Sequence, residues 1–483
     1  MWLRGCHQMF PDGSTTTVDV QLIQGDSVQL KVSEWDDLPG TVLAERSLLR
    51  CCCRRKRRPE VQELKLADLL GAVLDRETAQ LRFVHCPKKR KSGPRVREDV
   101  LLRITGGPEA LKEVEAWARD VSGQCHAASP TPRKFHVFIN PASGNGQAEA
   151  KWQVARELFR SLPWISCQEV LTTRAREARD VAAELSCNSC DGIVVVSGDG
   201  MVHEVFNGLA SRQDAHDALR IPVGHIPGGS GNAFAKSILH AAGESYGVLD
   251  AAFLIAKGRT QPLDLMAVSQ PRQPPRTSFL SLSGAIVADI DLGSESLRFL
   301  GGLRFPVYTV YCLLNPRPLC AEISYWPATA STSPLDLSSS PPALDQPLPE
   351  GPWVTLTDNF SVLWAINMAW AAYDVHLSPG HAMGSGTWHL ALLRNAGRGT
   401  LTKFMLGLET GSHVNLDQTE ILECKAFRLV PARSASNASS SRERFSLDGE
   451  EVPFEPIQLW PCPGGQVLGA PSGEELGGVM ASL

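Results

Sequence analysis

Between residues 135 and 240 the chain runs three times from an apolar stretch into a glycine-rich loop and then into a helical pattern. The apolar stretches at 135–139, 194–196 and 221–226 are typical of buried strands. The loops occupy residues 140–146, 197–200 and 227–232, and helical spacing follows, most clearly over 148–162 and 233–240. We therefore expect one α/β unit in which three loops cluster.

Alternation of apolar and polar positions predicts shorter strands on both sides of this unit. Upstream they cover residues 17–22, 28–32 and 81–86, and an amphipathic helix containing Trp117 follows at 108–121. Downstream they cover 354–356, 360–366, 387–393 and 426–431. The downstream pattern predicts an antiparallel β-sandwich.

Length and low-complexity stretches indicate the domain organisation. A chain of 483 residues is too long for one core. Residues 327–352 are rich in Ser and Pro and are expected to be a disordered insert, and 434–441 is a shorter stretch of the same kind. We expect a regulatory module over 1–125, an α/β domain over 132–264, a β-sandwich domain over 265–465 and a flexible tail over 466–483.

Composition excludes several classes of protein. Apolar residues at 43% and charged residues at 20% are typical of a soluble globular protein, and no run of about 18 apolar residues predicts a membrane span. The first residues lack the apolar core of a signal peptide, so a cytoplasmic location is expected, with the 13 cysteines as reduced thiols. A net charge of −5 argues against general nucleic-acid binding.

The loop at 197–200 carries the first candidate for chemistry, Asp199. Gly198 and Gly200 flank this carboxylate and leave room for a ligand to approach the backbone. An Asp-Gly pair is also an ordinary turn, so the loop alone leaves both interpretations open. Each of the three loops precedes a helix, and such loops point backbone N–H groups and the positive helix end at an anion such as phosphate. No Gly-Lys-Ser/Thr ends any of them, so none is a P-loop.

The motifs read N-P-x-S-G-x-G at 140–146, S-G-D-G-x-x-H-E-V-x-N-G-L at 197–209 and P-x-G-S-G-N-A at 227–233. Together they resemble the catalytic domain of the diacylglycerol-kinase-like lipid kinases, and within that group they are most similar to sphingosine kinases. The likeness continues through 284–304 and ends at Asp448-Gly449-Glu450, so it covers about residues 132–460. It implies a Rossmann-like nucleotide-binding domain followed by a lipid-binding domain, with the nucleotide in the cleft between these two domains.

The resemblance implies a role for each matching residue. Asp199 would remove the proton from a primary alcohol as that alcohol attacks the γ-phosphate of ATP. Ser197, Gly198 and Gly200 would lie at the lipid substrate. The residues expected at the nucleotide are Asn140, Pro141, Ala142, Thr172, Glu204, Gly229, Ser230 and Gly231. After Thr172 the chain departs from sphingosine kinases, because residues 173–178 replace a basic, histidine-containing stretch.

Two arginines and a carboxylate pair complete the implied nucleotide site. Arg298 and Arg304 are six residues apart, which does not place them on one face of a straight helix, but a break at Gly301-Gly302 would let both reach phosphates. Asp448, Gly449 and Glu450 would return from the second domain to help hold Mg²⁺ or the nucleotide. The sequence does not assign the metal ligands themselves.

Asp291 is the residue on which the expected choice of substrate depends. A carboxylate in an apolar stretch needs a partner, and the resemblance makes this residue the one that recognises the ammonium group of sphingosine. Ceramide kinases accept a neutral amide and differ here. The residues alone leave another interpretation open, in which Asp291 caps the next helix with Ser294 and Glu295 nearby. Residues 300–314 form the apolar segment expected to gate the lipid tail, and a plain packed helix is the alternative.

The predicted N-terminal strands and helix are similar in order to a pleckstrin-homology-like module. Basic runs at 54–58 and 88–91 are expected to meet an anionic membrane surface transiently, giving a cytoplasmic protein with peripheral membrane association. Cys51, Cys52 and Cys53 beside the first run are candidates for palmitoylation. Buried thiols, a solvated charged loop and a nuclear-import signal remain alternatives for these segments.

Three hypotheses about function follow. The first is an ATP-dependent, Mg²⁺-requiring kinase that makes sphingosine 1-phosphate from sphingosine or a related long-chain base. The second is a ceramide or diacylglycerol kinase, which Asp291 and the Ser230-Gly231-Asn232 loop disfavour. The third is a catalytically silent lipid-binding scaffold. The sequence does not predict the oligomeric state.

Overall fold

The computed structural model describes residues 2–9, 15–23, 27–34, 61–104, 107–126, 132–330, 341–432 and 443–470. The chain divides into two compact units. Unit 1 comprises Met1–Pro132, Glu157–Ile165 and Ala256–Gly258. Unit 2 comprises Arg133–Arg156, Ser166–Ile255 and Arg259–Leu483.

Unit 1 contains an antiparallel sheet and a helix. Its strands are β1 (Trp2–Met9), β2 (Thr15–Ile23), β3 (Ser27–Glu34), β4 (Val61–Lys65), β5 (Leu69–Asp75), β6 (Gln80–His85) and β7 (Val100–Arg103). A 3₁₀ turn spans Leu66–Asp68, and helix α1 spans Pro108–Cys125. The strand order in the sheet is β4-β3-β2-β1-β7-β6-β5. Each neighbouring pair therefore joins strands that are consecutive in the chain, except for β1 beside β7.

The core of unit 1 forms where α1 packs on the sheet. Trp117, Val121 and Cys125 of α1 are buried with Leu81 and Phe83 of β6, and the Trp117 and Phe83 rings meet edge to face with centroids 5.9 Å apart. The predicted strands at 17–22, 28–32 and 81–86 and the helix at 108–121 are present with slightly different ends. Strands β1, β4, β5 and β7 were not expected.

The first half of unit 2 contains the three predicted repeats of strand, loop and helix. Its strands are β8 (Arg133–Ile139), β9 (Ile165–Leu171), β10 (Gly192–Ser197) and β11 (Val223–Pro227). Its helices are α2 (Ser143–Gly146), α3 (Ala148–Arg160), α4 (Glu177–Glu184), α5 (Asp199–Ala210), α6 (Ala215–Ala218), α7 (Ala233–Ala241) and α8 (Val248–Lys257). The strand order is β9-β8-β10-β11, and β10 pairs in parallel with both β8 and β11. The loops after β8, β10 and β11 therefore leave one edge of the sheet side by side.

The second half of unit 2 is rich in strands. They are β12 (Thr260–Ser269), β13 (Arg276–Ser278), β14 (Ser281–Gly284), β15 (Leu319–Pro327), β16 (Val354–Ile366), β17 (Trp388–Arg394), β18 (Thr419–Pro431), β19 (Phe445–Leu447), β20 (Glu450–Val452) and β21 (Ile457–Leu468). The α-helices are α9 (Ala285–Gly293), α10 (Arg304–Leu314) and α11 (Arg398–Gly407), and 3₁₀ segments span Ser294–Leu303 and Ser412–Asn415.

Long strands close part of this sheet on itself. Strand β16 pairs with β15 and β17, and β18 pairs with the same two strands, so the four form a ring around a core that includes Trp388 and Phe427. Strand β21 joins this region to the α/β half, because it pairs antiparallel with β12 and β18 and parallel with β11. The two halves thus share one mixed sheet. The predicted strands at 354–356 and 360–366 are one continuous strand.

Two expected irregular segments are in part regular. Strand β21 extends to Leu468, where Val467 and Leu468 are buried, so a flexible tail does not begin at residue 466. Within the stretch 327–352, residues 341–352 contact the sheet: Arg428 donates hydrogen bonds to the carbonyl oxygens of Gln346 (2.7 Å) and Ala343 (3.3 Å). The expectation of disorder is therefore wrong for this part, because a buried arginine on β18 binds its backbone.

Several sequence predictions lie outside the described residues. These are the basic run at 54–58, the cysteines at 51–53, the Ser-rich stretch at 434–441 and the segment after residue 470. The cysteines whose side chains the structure describes form no disulfide bonds. Among the described helices, none combines the length and the apolar character needed to cross a membrane.

Candidate active site

The three glycine loops of unit 2 are in direct backbone contact. The amides of Gly228 and Gly229 donate to the carbonyl oxygen of Ser197 at 2.8 and 2.9 Å. A Cβ on Gly198 would lie 2.8 Å from the carbonyl oxygen of Gly231, and a Cβ on Gly144 would overlap the carbonyl oxygen of Gly228. Side chains at these positions would therefore push the loops apart.

Asp199 lies where the second and third loops meet. Strand β10 ends at Ser197, Gly198 forms the N-cap of α5, and Asp199 is the first helical residue. The Asp199 carboxylate accepts hydrogen bonds from the amides of Ala233 (2.7 Å) and Phe234 (3.1 Å), the first two residues of α7. These two amides at the N-terminus of α7 were expected to face phosphate. In this structure they hold the Asp199 carboxylate instead.

The environment of Asp199 makes it a stronger base than an exposed carboxylate. Burial raises the pKa of Asp199, while the charge of a protonated His225 and the amide hydrogen bonds from Ala233 and Phe234 oppose that rise. On the far side lies His225 of β11, whose Nδ1 is 3.8 Å from Asp199 Oδ1. Nothing in the sequence marks His225 as a site residue, because one histidine in an apolar strand is usually a core residue.

Residues of the first and third loops are locked by their own side chains. The Asn140 carboxamide oxygen accepts from the amide of Ala142 at 3.0 Å, which forms a local turn next to Pro141. Asn232 bonds both the amide (3.0 Å) and the carbonyl (2.8 Å) of Gly229. Ser230 at the tip of that loop is exposed. The loops are thus preorganised before any nucleotide binds.

Thr172 and Glu204 lie near the first two loops. The amide of Thr172 donates to the carbonyl oxygen of Ile139 at 2.9 Å, which attaches the end of β9 to the end of β8. Glu204, on the second turn of α5, accepts a hydrogen bond of 3.0 Å from the amide of Arg176. Arg176 has a left-handed backbone with φ of 64°. Glu204 therefore stabilises an unusual turn as well as presenting a carboxylate.

The structure shows a structural role for Asp448 that the sequence did not predict. Its carboxylate accepts hydrogen bonds from the amides of Phe279 (3.2 Å), Leu280 (3.0 Å) and Ser281 (2.8 Å) and from the Ser278 hydroxyl (2.7 Å). His203 of α5 adds a contact of 2.8 Å through Nδ1. The side chain of Asp448 is fully buried. Protein groups bond both carboxylate oxygens, so Asp448 anchors the backbone of residues 279–281, and its expected place at Mg²⁺ or the nucleotide stays a prediction.

Asp448 also fixes a hairpin that presents Glu450. Asp448 and Gly449 have φ of 51° and 89° and connect β19 to β20 by a two-residue turn, for which Asp-Gly is a favoured pair. Glu450 follows on β20 and is exposed. Its Oε1 lies 3.8 Å from where a Cβ of Gly200 would be. The turn thus brings one free-standing carboxylate to the start of α5.

Two motif residues of α5 have structural roles that sequence reasoning did not assign. His203 contacts Asp448, and Asn207 exchanges hydrogen bonds with the backbone of Thr277, donating at 2.8 Å and accepting at 2.9 Å. Both side chains tie α5 to the strand-rich half of unit 2. The one indication of this role in the sequence is that His203 and Asn207 both belong to the second motif.

Asp291 lies near the end of α9 and is partly buried. Its Oδ2 accepts a hydrogen bond of 2.6 Å from the hydroxyl of Ser446 on β19. Burial raises the pKa of Asp291 to about 6, and the Ser446 hydrogen bond opposes that rise. The carboxylate does not cap the next turn, since Ser294 donates to the Asp291 backbone oxygen. The capping interpretation is therefore wrong.

The segment after Asp291 is irregular, as the two glycines suggested. A 3₁₀ segment from Ser294 to Leu303 separates α9 from α10. Arg304 forms an ion pair with Glu295, and its guanidinium lies 4.4 Å from the ring centroid of Phe305. The side chain of Arg298 lies outside the described residues. The structure therefore does not test whether the two arginines converge.

The described residues contain no cluster of three or more His, Cys, Asp or Glu side chains able to hold a metal ion. Of Asp448 and Glu450, it is Glu450 that is exposed, and its Oε1 lies 3.8 Å from where a Cβ of Gly200 would be. Mg²⁺ commonly keeps most of its waters and uses one or two carboxylates with substrate phosphates, so this donor set fits a nucleotide-bound Mg²⁺ rather than a resident metal.

Known proteins are similar in sequence to this chain over most of its length. The diacylglycerol kinase catalytic domain family matches residues 134–268. "Sphingosine kinase 1" from Mus musculus is 31% identical over 372 residues, which cover 72% of this chain and 94% of the relative. "Sphingosine kinase 1" from Arabidopsis thaliana is 31% identical, covering 62% of this chain and 64% of the relative. "Sphingoid long chain base kinase 4" from Schizosaccharomyces pombe is 31% identical, with coverages of 68% and 73%.

A side chain at Gly198 is predicted to disrupt the site. Because a Cβ there would meet the Gly231 carbonyl oxygen at 2.8 Å, Gly198→Ala should displace the loop that carries the α7 amides and lower turnover at least about 100-fold. Gly399→Ala is the matched control, since a Cβ there meets nothing within 4 Å. Steady-state kinetics of both variants test this, and near-normal turnover of Gly198→Ala would show that the close contact is not required.

Substitutions of Asp448 and of Glu450 are predicted to differ in their effect on stability. Asp448→Ala leaves three buried amides without an acceptor and should lower the free energy of unfolding by about 3 kcal/mol or more. Glu450→Ala should leave stability nearly unchanged because the side chain is exposed. Urea denaturation measures both values. Equal effects of the two substitutions would contradict the structural role of Asp448.

Proposed function

Because the chain belongs to the sphingosine kinase family, we propose that it transfers the γ-phosphoryl group of ATP to the primary hydroxyl of sphingosine or a related long-chain base. The product is sphingosine 1-phosphate. The observation that supports the substrate assignment is Asp291, a partly buried carboxylate bonded to one hydroxyl, with its pKa raised to about 6 by desolvation. A ligand that brings its own cation supplies the partner this carboxylate lacks.

Asp199 acts as the general base. Two amides from α7 fix its orientation, and burial raises its pKa, so it takes up a proton more readily than an exposed aspartate. During transfer the hydroxyl O–H bond breaks as the new O–P bond forms, and the proton goes to Asp199. The bond from the γ-phosphorus to the β-phosphate oxygen breaks, and ADP leaves. Ser197, Gly198 and Gly200 are the neighbours of Asp199 in its loop and are the proposed contacts of the substrate hydroxyl.

The nucleotide phosphates bind across the three loops. Asn140, Pro141 and Ala142 of the first loop, Thr172, Glu204 and the third-loop residues Gly229, Ser230 and Gly231 are its proposed contacts. Support comes from the parallel order of β8, β10 and β11, which sets these loops side by side. Arg298 and Arg304 are proposed to spread charge on the phosphates, which requires Arg304 to exchange Glu295 for the ligand.

Mg²⁺ would bind with the nucleotide, held by its phosphates and by Glu450, with Gly449 shaping the turn. When bound, the ion neutralises charge on the phosphates. Glu450 is suited to this task because it is exposed on a short hairpin near the start of α5. Asp448 contributes by fixing that hairpin.

The strand-rich half is proposed to be a β-sandwich that holds the lipid tail. Its apolar core and the ring of β15 to β18 support this. Helix α10 is the proposed gate. Four of its apolar side chains, Val307, Val310, Tyr311 and Leu314, are exposed, as is Leu303 just before the helix, whereas Cys312 is buried. Burying some 14 methylenes at about 0.8 kcal/mol each bounds the tail contribution at roughly 11 kcal/mol before entropy losses.

Unit 1 is proposed to be a pleckstrin-homology-like module that meets an anionic membrane surface transiently. Seven antiparallel strands followed by one helix support the module assignment. The exposed apolar face of α10 supports membrane contact by the enzyme, since its substrate lies in the bilayer. Such an enzyme is cytoplasmic and peripherally membrane-associated.

We predict that purified protein with γ-labelled ATP and Mg²⁺ labels sphingosine, and not ceramide or diacylglycerol. Asp199→Asn should lose at least about 1,000-fold in turnover with little change in lipid binding, because the base is lost while the shape is kept. Asp291→Asn should mainly raise KM for sphingosine. Label on ceramide or diacylglycerol would favour the second hypothesis. Binding of sphingosine without label on any lipid would favour a silent scaffold.

The pH dependence of sphingosine use tests Asp291. Its pKa of about 6 in the free protein means that the carboxylate loses its charge as pH falls through 6. We expect kcat/KM for sphingosine to fall over that range and the Asp291→Asn profile to lack this step. Folded Asp291 binds protons more tightly than the unfolded chain, so its charge destabilises the fold at neutral pH. Asp291→Asn should therefore be more stable than the parent at pH 7.5, and a less stable variant would contradict this environment.

A further inference from the structure

His225 has an unpaired nitrogen directed at the proposed base. Its Nε2 is 2.9 Å from the carbonyl oxygen of Ser197, which can only accept, so Nε2 carries the hydrogen. In the neutral ring Nδ1 is then a lone pair. Nδ1 has no hydrogen-bond partner and lies 3.8 Å from Asp199 Oδ1. Two acceptors therefore face each other, an arrangement that becomes attractive once a proton lies between them.

The remaining surroundings of the ring are apolar. The Phe234 ring stacks on it at a centroid distance of 6.2 Å. Together with Ile238 of α7, Leu254 of α8 and Leu468 of β21, His225 lines a small apolar cavity. Among the described residues, Asp199 is the one charged side chain that acts on His225. Burial lowers the pKa of His225, which keeps the resting ring neutral. A leucine or phenylalanine would fill this position without burying a polar nitrogen.

Resting on the proposed role of Asp199 as base, we propose that His225 is a positioning residue that shares the abstracted proton with Asp199. When the substrate hydroxyl loses its proton, the Asp199 carboxyl gains it and donates a hydrogen bond to His225 Nδ1. The proton later leaves to water as the next cycle begins. A protonated His225 would lower the pKa of Asp199, but burial keeps the ring neutral. The lone pair of a neutral Nδ1 raises the energy of the ionised carboxylate and stabilises the protonated one, so the neutral pair has a higher proton affinity than Asp199 alone.

The apo distance of 3.8 Å is compatible with this role. Hydrogen bonds of catalytic groups are often long before substrate binds and shorten in the complex. The Asp199 side chain is held by two amides and the ring by one carbonyl, so a small approach of Nδ1 to Oδ1 breaks no contact that is described for either group.

The first test compares pH profiles of kcat and kcat/KM for the parent, His225→Leu and His136→Leu. His136 is also a buried strand histidine, and neither of its ring nitrogens has a partner. We expect His225→Leu to lower kcat at least about tenfold and to leave KM for ATP and sphingosine within about twofold. It should also move the acidic limb of the kcat profile, in which Asp291 is already paired with the bound substrate, down by about one pH unit. His136→Leu should leave the acidic limb unchanged. A folded His225→Leu with the parental acidic limb would overturn the proposal.

The second test does not depend on activity or on the folding of the leucine variant. The ring ¹⁵N shifts of His225 are followed against pH in the full chain and in Asp199→Asn. The resting parent should show a neutral ring with hydrogen on Nε2, and the Nδ1 shift should change in the pH range where the pair takes up its proton. That change should be lost in Asp199→Asn. Identical titrations in both proteins would refute the coupling, whereas full activity of Asp199→Asn would instead refute the base assignment.

Discussion

The site depends on backbone contact between glycine loops that leave adjacent parallel strands. Gly198 and Gly144 lie so close to the third loop that a single carbon on either one would displace it. This contact lets the amides at the start of α7 reach across to Asp199, which belongs to the preceding repeat. The glycines therefore do more than admit a ligand. They determine which helix N-terminus meets which carboxylate, and the charge arrangement of the site follows from that choice.

Each carboxylate of the site has a distinct environment, and each environment suits a different proposed role. Asp199 is buried but held by amides, which suits a base. Asp291 is partly buried and bonded to one hydroxyl, which suits pairing with a ligand cation. Asp448 has its oxygens occupied by backbone amides and a hydroxyl, which suits a structural anchor. Glu450 is exposed and suits a hydrated cation. The same functional group serves four purposes because burial and hydrogen bonding differ at each position.

The sequence predicted the parts that depend on local pattern. The three repeats of strand, loop and helix, the break after Asp291 and the helix with Trp117 follow from apolar spacing, glycines and turn residues. It did not predict the partners that come from distant parts of the chain. The Asp448 carboxylate binds residues 278–281, Asp291 binds Ser446, and β21 joins the two halves of one sheet. Such contacts depend on tertiary packing, which periodicity does not encode. Residues 341–352 were misjudged because a Pro-rich segment gains order from Arg428, far along the chain.

We propose that the partly buried carboxylate of Asp291 selects lipids bearing an ammonium group. The most direct test is the ratio of kcat/KM for sphingosine to that for its N-acetylated analogue, which keeps the tail and hydroxyl but carries no charge. We expect the parent to prefer sphingosine over the N-acetylated analogue by at least about 100-fold and Asp291→Asn to lose most of this preference. An unchanged ratio in a folded Asp291→Asn variant would contradict it.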